Sequence, residues 1–225
     1  MRPILCFLFS LFIVVFAGCG SIRNRSTEDI EGRDFRDIIV TEQLEVAGID
    51  DCDNPVVVIQ SARSSEISCG SGTLVNYEGR LYVVTARHVI SDGGTLSVWQ
   101  GEKRINVSLG TPRELISADI AIIPVTETHG RLATMIMDLN IPTADERCIA
   151  AGYVENEQYV EKTGVITEAS LSTIRVEAGM SGGPIIIDGK IAGVTTSQVI
   201  RTDAYGNSIT SGRHAIIKDC VQLFN

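Results

Sequence analysis

The chain has 225 residues, with 28 acidic against 19 basic side chains and a formal net charge of −9. That length suits one globular domain of one or two lobes behind a leader. No basic cluster is large enough for a nucleic-acid surface; RDFR at 33–36 is short and offset by neighbouring acids.

Taken in chain order, residues 1–18 read as a signal peptide. Arg2 supplies a minimal positive end, and Ile4 to Phe16 is apolar except for Ser10. The run falls short of the roughly 18 apolar residues that a transmembrane helix needs. It ends in FAGC, Phe16 to Cys19. Small residues directly before a cysteine resemble a bacterial lipoprotein signal, which implies cleavage before Cys19, a lipid on that cysteine and a lipid anchor in a bacterial membrane. Gly20, rather than Asp, follows Cys19, so outer-membrane attachment is the expectation for a two-membrane bacterium. Ordinary secretion and an uncleaved anchor are the alternatives. Cleavage leaves 207 residues, and loss of Arg2 takes the side-chain charge to −10. Residues 19–54 then form the attachment cysteine and a polar tether, within which Ile38 to Val46 could add an early strand.

From Pro55 the pattern becomes short apolar segments between turns. These are VVVIQ at 56–60, SGTLVN at 71–76, LYVVT at 81–85, TLSVW at 95–99, INVSL at 105–109 and IAIIPV at 120–125. The second half continues with CIAAGYV at 148–154, TGVITEA at 163–169, STIRV at 172–176, PIIID at 184–188 and IAGVTTSQV at 191–199. Such lengths and turn signals predict an all-β sandwich or barrel. A parallel α/β sheet has no room for its crossover helices. The one late helix expected is Ala215 to Phe224.

Three segments carry chemistry. VVTARHV holds His88 at a strand end, SADIAIIPV holds Asp119 before an apolar run, and GMSGGP holds Ser181 between glycines. A serine hydroxyl needs a nearby base to become a nucleophile. Histidine suits that task because its ordinary pKa is about 6.5, and a carboxylate on its other nitrogen fixes the tautomer. Taken singly, each segment has a bland structural explanation. Their joint appearance in the order His, Asp, Ser, at spacings of 31 and 62 residues, is what carries weight. His129 and His214 lack comparable contexts, and no HExxH or metal-ligand grouping appears.

Together these segments resemble the trypsin/chymotrypsin-like serine peptidases, over roughly Asn54 to Asn225. GKIAGV and the short spacing bring the chain nearest to the compact bacterial, HtrA-like branch. The resemblance implies two six-stranded antiparallel β-barrels with the active site in the cleft and a short C-terminal helix. The domain would span 55–225, with barrels at about 55–128 and 143–212 and the helix at about 215–224. It implies His88 as general base, Asp119 as a buried orienting carboxylate, Ser181 as nucleophile, and the N–H groups of Gly179 and Ser181 as an oxyanion hole. By position, Arg175, Thr196, Ser197 and Gln198 are expected at the substrate, with Arg175 making cleavage after Lys or Arg doubtful. Met180 stands where digestive enzymes carry an Asp that pairs with a new N-terminus, so activation by that route is not expected. Only 44 residues follow Ser181, leaving no length for a PDZ module.

The expected activity is endopeptidase hydrolysis of a protein or peptide substrate without a cofactor. An esterase or a non-catalytic binding protein on the same scaffold are the alternatives. Cys6 leaves with the signal. Cys52, Cys69, Cys148 and Cys220 permit three full pairings, of which 52–69 and 148–220 are preferred in an oxidising compartment. Four reduced core cysteines are the other reading.

Overall fold

Two-residue turns set the register of the hairpins. The computed structural model describes residues 43–44, 54–63, 66–91, 95–101, 103–107, 112–127, 132–154, 158–202 and 205–225, all within the unit Ile38–Asn225. In its first half the strands are β1 (Gln43–Leu44), β2 (Val56–Arg63), β3 (Glu66–Tyr77), β4 (Arg80–Ala86), β5 (Thr95–Gln100), β6 (Lys103–Val107), β7 (Arg113–Leu115) and β8 (Ile120–Glu127). The β3–β4 turn places Glu78 and Gly79 at φ 50° and 80°. Positive φ at both central residues matches the right-handed strand twist, and Asn76 Oδ1 accepts the Gly79 N–H at 3.0 Å.

These strands, β1 excepted, form a sheet in the order β4-β3-β2-β5-β6-β8-β7, and β4 also pairs with β8. That pairing closes six antiparallel strands into a barrel. Its interior holds Val57, Ile59, Leu74, Val83, Ile120 and Ile122, each fully buried.

The second half contributes β9 (Arg147–Tyr153), β10 (Tyr159–Glu168), β11 (Leu171–Ser172), β12 (Pro184–Ile187), β13 (Lys190–Thr202) and β14 (Ser208–Ile216). The sheet order is β1-β10-β11-β14-β13-β12-β9, with β9 also paired to β10. The expectation of two six-stranded barrels needs correction here. The second sheet has seven strands, because β1 pairs with β10. Around its perimeter β11 is two residues long and meets β10 across a register shift, and β12 joins β9 through two residue pairs only. One closed six-stranded barrel and one irregular sheet, rather than two like barrels, make up the fold. The irregularity arises because 173–183, where a continuous strand would run, is given to a turn-rich loop.

The C-terminal helix also needs correction. β14 runs to Ile216, and the chain then enters a 3₁₀ segment, Ile217–Leu223, rather than an α-helix. Its far end docks on the first barrel. Phe224 stacks on Tyr77 at 4.6 Å and meets Tyr82 edge-on at 4.9 Å, while Arg113 Nη1 donates to the carbonyls of Leu223 and Asn225.

That docking removes the predicted 148–220 disulfide. Cys220 is buried in the first core and Cys148, on β9, in the second. Both are free thiols, and no disulfide forms among the described residues. Burial pushes both thiols up to about 12, which keeps them protonated and unreactive. Cys69 is exposed; its proposed partner Cys52 lies outside the described residues, as do Cys19, the signal and His129.

The segment joining the halves is stitched to both sheets. Met135 N–H donates to Leu74 O at 2.8 Å, and Ile191 N–H donates to Ile136 O at 2.9 Å.

Candidate active site

His88 and Asp119 meet because of strand register. β4 and β8 pair antiparallel with Ala86 opposite Ile120, so the residue before β8 lies beside those just after β4. His88 follows on a four-residue helix, α1 (Arg87–Ile90), whose Val89 and Ile90 are buried. Those two anchors fix the turn that carries the ring. Asp119 ends a 3₁₀ turn, Ile116–Ala118, in the left-handed conformation at φ 56°, a region that Asp tolerates better than most residues.

One carboxylate then holds His88 twice. Asp119 Oδ2 lies 2.7 Å from His88 Nδ1, and Oδ1 accepts the His88 N–H at 3.0 Å. The Asp119 carbonyl accepts the Arg87 N–H at 2.9 Å. With Nδ1 committed to the carboxylate, Nε2 is the nitrogen left to exchange a proton. The carboxylate is 36% exposed, not buried as the family resemblance implies. Beside it, Arg87 pairs with Glu114 at 2.7 Å.

Ser181 sits in a tight turn before β12. Gly179 and Gly182 both have positive φ, 91° and 88°. A Cβ at Gly182 would stand 2.0 Å from Ser71 O and 2.2 Å from Thr85 Oγ1, and one at Gly179 2.5 Å from Tyr153 O. Only glycine fits at either place. The Cβ position of Gly182 is also 3.0 Å from the Ala86 N atom, so the serine turn packs against the end of β4, from which His88 continues. Ser181 Oγ itself donates to Thr196 O at 3.5 Å, a weak bond. Among the described residues it makes no hydrogen bond to His88.

The backbone of this loop shows an alternation. The N–H groups of Met180, Gly182 and Gly183 donate to the carbonyls of Glu177, Thr195 and Met180 at 3.1, 2.7 and 3.0 Å. Among the described residues, those of Gly179 and Ser181 donate to no backbone carbonyl. Two unspent donors on either side of a residue are what an anionic oxygen requires. Met180 between them is fully buried in the second core with Val176 and Ile185.

Thr196 is buried and is the extra residue in a bulge, since the β13–β14 pairing shifts between Thr195 and Ser197. Its hydroxyl donates to Arg213 O at 3.2 Å. Ser197 and Gln198 are exposed. β12 pairs with β13 only as far as Val194, so the far part of β13 has β14 on one side and no strand on the other among the described residues.

The side chain of Arg175 is exposed, and its carbonyl accepts from Lys162 Nζ at 3.1 Å. Lys162 also forms a short ion pair with Glu177. Sequence reasoning missed Lys162, although its signal is legible. Val160 and Ile166 point inward on β10, and Lys162 falls on the same period-2 face. Ser71 and Thr85 were also missed, because a lone polar residue inside an apolar strand carries no signal of its own. His214 is buried on β14, with Nε2 3.1 Å from Ala169 O. It takes no part in the cluster. Among the described residues no three His, Cys, Asp or Glu side chains gather as a metal site.

Known proteins share the sequence pattern and the fold that carry these residues. A probable periplasmic serine endoprotease, DegP-like, from Bartonella henselae is 30% identical over 154 residues, covering 61% of this chain. The chain spans 29% of that relative's length. Among solved structures, the active form of the Rv3671c protease from M. tuberculosis superposes with a TM-score of 0.59 at 22% identity, covering 77% of this chain and 81% of that one. That likeness shows a shared fold. The sequence pattern of the trypsin-like peptidase domain matches residues 70–212, and over that span, more than half its length, the chain belongs to the trypsin-like peptidase family, whose chemistry is serine-protease-type hydrolysis.

Proposed function

We propose that the chain is a serine endopeptidase of the cell envelope, acting through an acyl-enzyme. The observation that carries this reading is the doubly held His88–Asp119 pair next to a glycine-flanked serine turn. In the proposed cycle His88 Nε2 takes the Ser181 hydroxyl proton as Oγ attacks the scissile carbonyl. The N–H groups of Gly179 and Ser181 donate to the oxygen that becomes negative. The imidazolium, steadied by Asp119, gives its proton to the leaving amine. A water then loses a proton to His88 and attacks the acyl carbon, and His88 passes that proton to Ser181 Oγ as the acyl–oxygen bond breaks. The cycle asks the Ser181 hydroxyl to leave Thr196 O for His88 Nε2.

Substrate would lie along the free edge of β13 at Thr196, Ser197 and Gln198 as an added strand. Arg175 would repel Lys or Arg at the cleaved residue and favour an acidic one. Residues 55–225 would be the peptidase domain, with Cys19 as its lipid anchor to a bacterial membrane. The relative's periplasmic description supports the compartment.

One observation favours a second reading, a non-catalytic binding scaffold: the Ser181 hydroxyl rests on Thr196 O. A serine-reactive fluorophosphonate separates the two. We expect it to label the folded chain, Ser181→Ala to abolish labelling, and a peptide library to show turnover. Folded protein that neither labels nor cleaves overturns the peptidase reading, and cleavage of esters alone assigns the chain as an esterase.

A further inference from the structure

Ser71, on β3, is the point where the first barrel grips the nucleophile loop. It is fully buried, and its N–H, hydroxyl and carbonyl are all engaged. Its N–H donates to Ser181 O at 2.7 Å. Its hydroxyl donates to Gly179 O at 2.8 Å and accepts the Tyr153 N–H at 2.8 Å. Its carbonyl accepts the Thr85 hydroxyl at 2.7 Å. The site leaves no slack, since a Cβ at Gly152 would stand 3.0 Å from both Ser71 Oγ and Met180 Cα.

We propose that Ser71 is a positioning residue that locks the two oxyanion donors in place, a proposal that rests on the peptidase reading above. The donors belong to residues 179 and 181, and Ser71 holds the carbonyls of those same two residues. Gly179 is the weak point. Without a side chain it can turn about φ and ψ at little cost, and a flip would carry its N–H away from the oxyanion. No local contact holds its carbonyl, because the loop's own bonds run through Met180, Gly182 and Gly183. The restraint comes from the other sheet, through the Ser71 hydroxyl. That hydroxyl is in turn aimed by Tyr153 N–H, which occupies its acceptor side and leaves its proton for Gly179 O. The loop therefore needs no new N-terminus to order it, and Met180 beside the nucleophile can be apolar. Ser71 touches no substrate; it acts through the loop.

The test uses the full chain, with wild type, Ser71→Ala, Ser71→Cys and a control, Thr73→Val. Thr73 lies two residues away on β3, is equally buried, and has a hydroxyl without a partner, so its loss reports generic damage to the strand. Peptide turnover and inhibition by a peptide boronate, whose tetrahedral oxygen occupies the oxyanion hole, are measured below the melting temperature of each variant. Ser71→Ala is expected to lower kcat by about tenfold to a hundredfold with KM within about twofold, and to weaken the boronate by the same factor. The pH profile of kcat/KM should keep its shape, because the His88–Asp119 pair is untouched. Thr73→Val should behave as wild type. If Ser71→Ala does not fold, Ser71→Cys carries the test. It keeps the volume with a weak donor, and a loss of about fivefold or more in both kcat and boronate affinity is expected. A folded Ser71 variant that keeps wild-type kcat and boronate affinity, or one that raises KM alone, overturns the proposal. A wild type that neither labels nor cleaves overturns the peptidase reading instead.

Discussion

At the scale of single residues, Asp119 and His214 show how position sets the use of a charge. Asp119 steadies a histidine through both carboxylate oxygens. Asp119→Asn keeps the shape but lets an amide face Nδ1, which favours the wrong tautomer. We expect kcat to fall about a thousandfold to ten-thousandfold while the fold is retained, read by peptide turnover and circular dichroism; a loss below tenfold would contradict the role. His214 is the opposite case. Burial pulls its pKa from 6.5 down to about 4 against a smaller opposing effect of its bond to Ala169 O, and its Nδ1 has no partner. The unfolded chain therefore binds the proton more readily than the fold does. The contribution of this histidine to stability is therefore expected in full above about pH 6.5 and should be lost as the pH drops toward 4, by up to about 3 kcal/mol. Melting curves from pH 7 to pH 4 should show a drop that is smaller in His214→Gln. Parallel curves for the two proteins would rule the histidine out.

At the scale of elements, the loop between β11 and β12 is held from two sides, by Ser71 at its glycines and by Lys162 at its approach. The Lys162 side chain is 5% exposed and that of Glu177 48%, so the two ends of this ion pair are not equivalent. Removing the carboxylate leaves a buried ammonium with only the Arg175 carbonyl, whereas removing the ammonium leaves a carboxylate that water can reach. We expect Glu177→Gln to destabilise by about 3 kcal/mol and Lys162→Met by clearly less. Urea denaturation of both variants decides it, and the reverse order would show that Lys162 is not the desolvated partner.

At the scale of the molecule, the chain end crosses back to the first barrel and buries Cys220 there, away from Cys148. Thermal stability should therefore owe nothing to a bond between these two. In the native state Cys148 and Cys220 should resist an aromatic disulfide reagent and react only in denaturant, because each is buried with its pKa pushed up to about 12. Rapid reaction of both thiols in the folded protein, followed by mass mapping, would refute the burial of this segment.

The sequence by itself determined what depends on local pattern. Short apolar runs between turns announced the strands, and GMSGGP announced a serine held between glycines. The resemblance named His88, Asp119 and Ser181 without any knowledge of strand pairing. Only the tertiary structure decided what depends on pairing between distant segments. The β4–β8 register turned a separation of 31 residues into a 2.7 Å contact. β1 joined the second sheet and β11 shrank to two residues, which no periodicity announces because edge pairing and loop length leave no repeat in the chain. The terminal segment chose the first barrel because Tyr77 and Tyr82 offer Phe224 an aromatic seat there. Ser71 was invisible for the same reason, whereas Lys162 showed its inward place on β10 but not what it binds. A buried polar group has meaning only through its partner, and each of these partners lies in another strand or in the nucleophile loop.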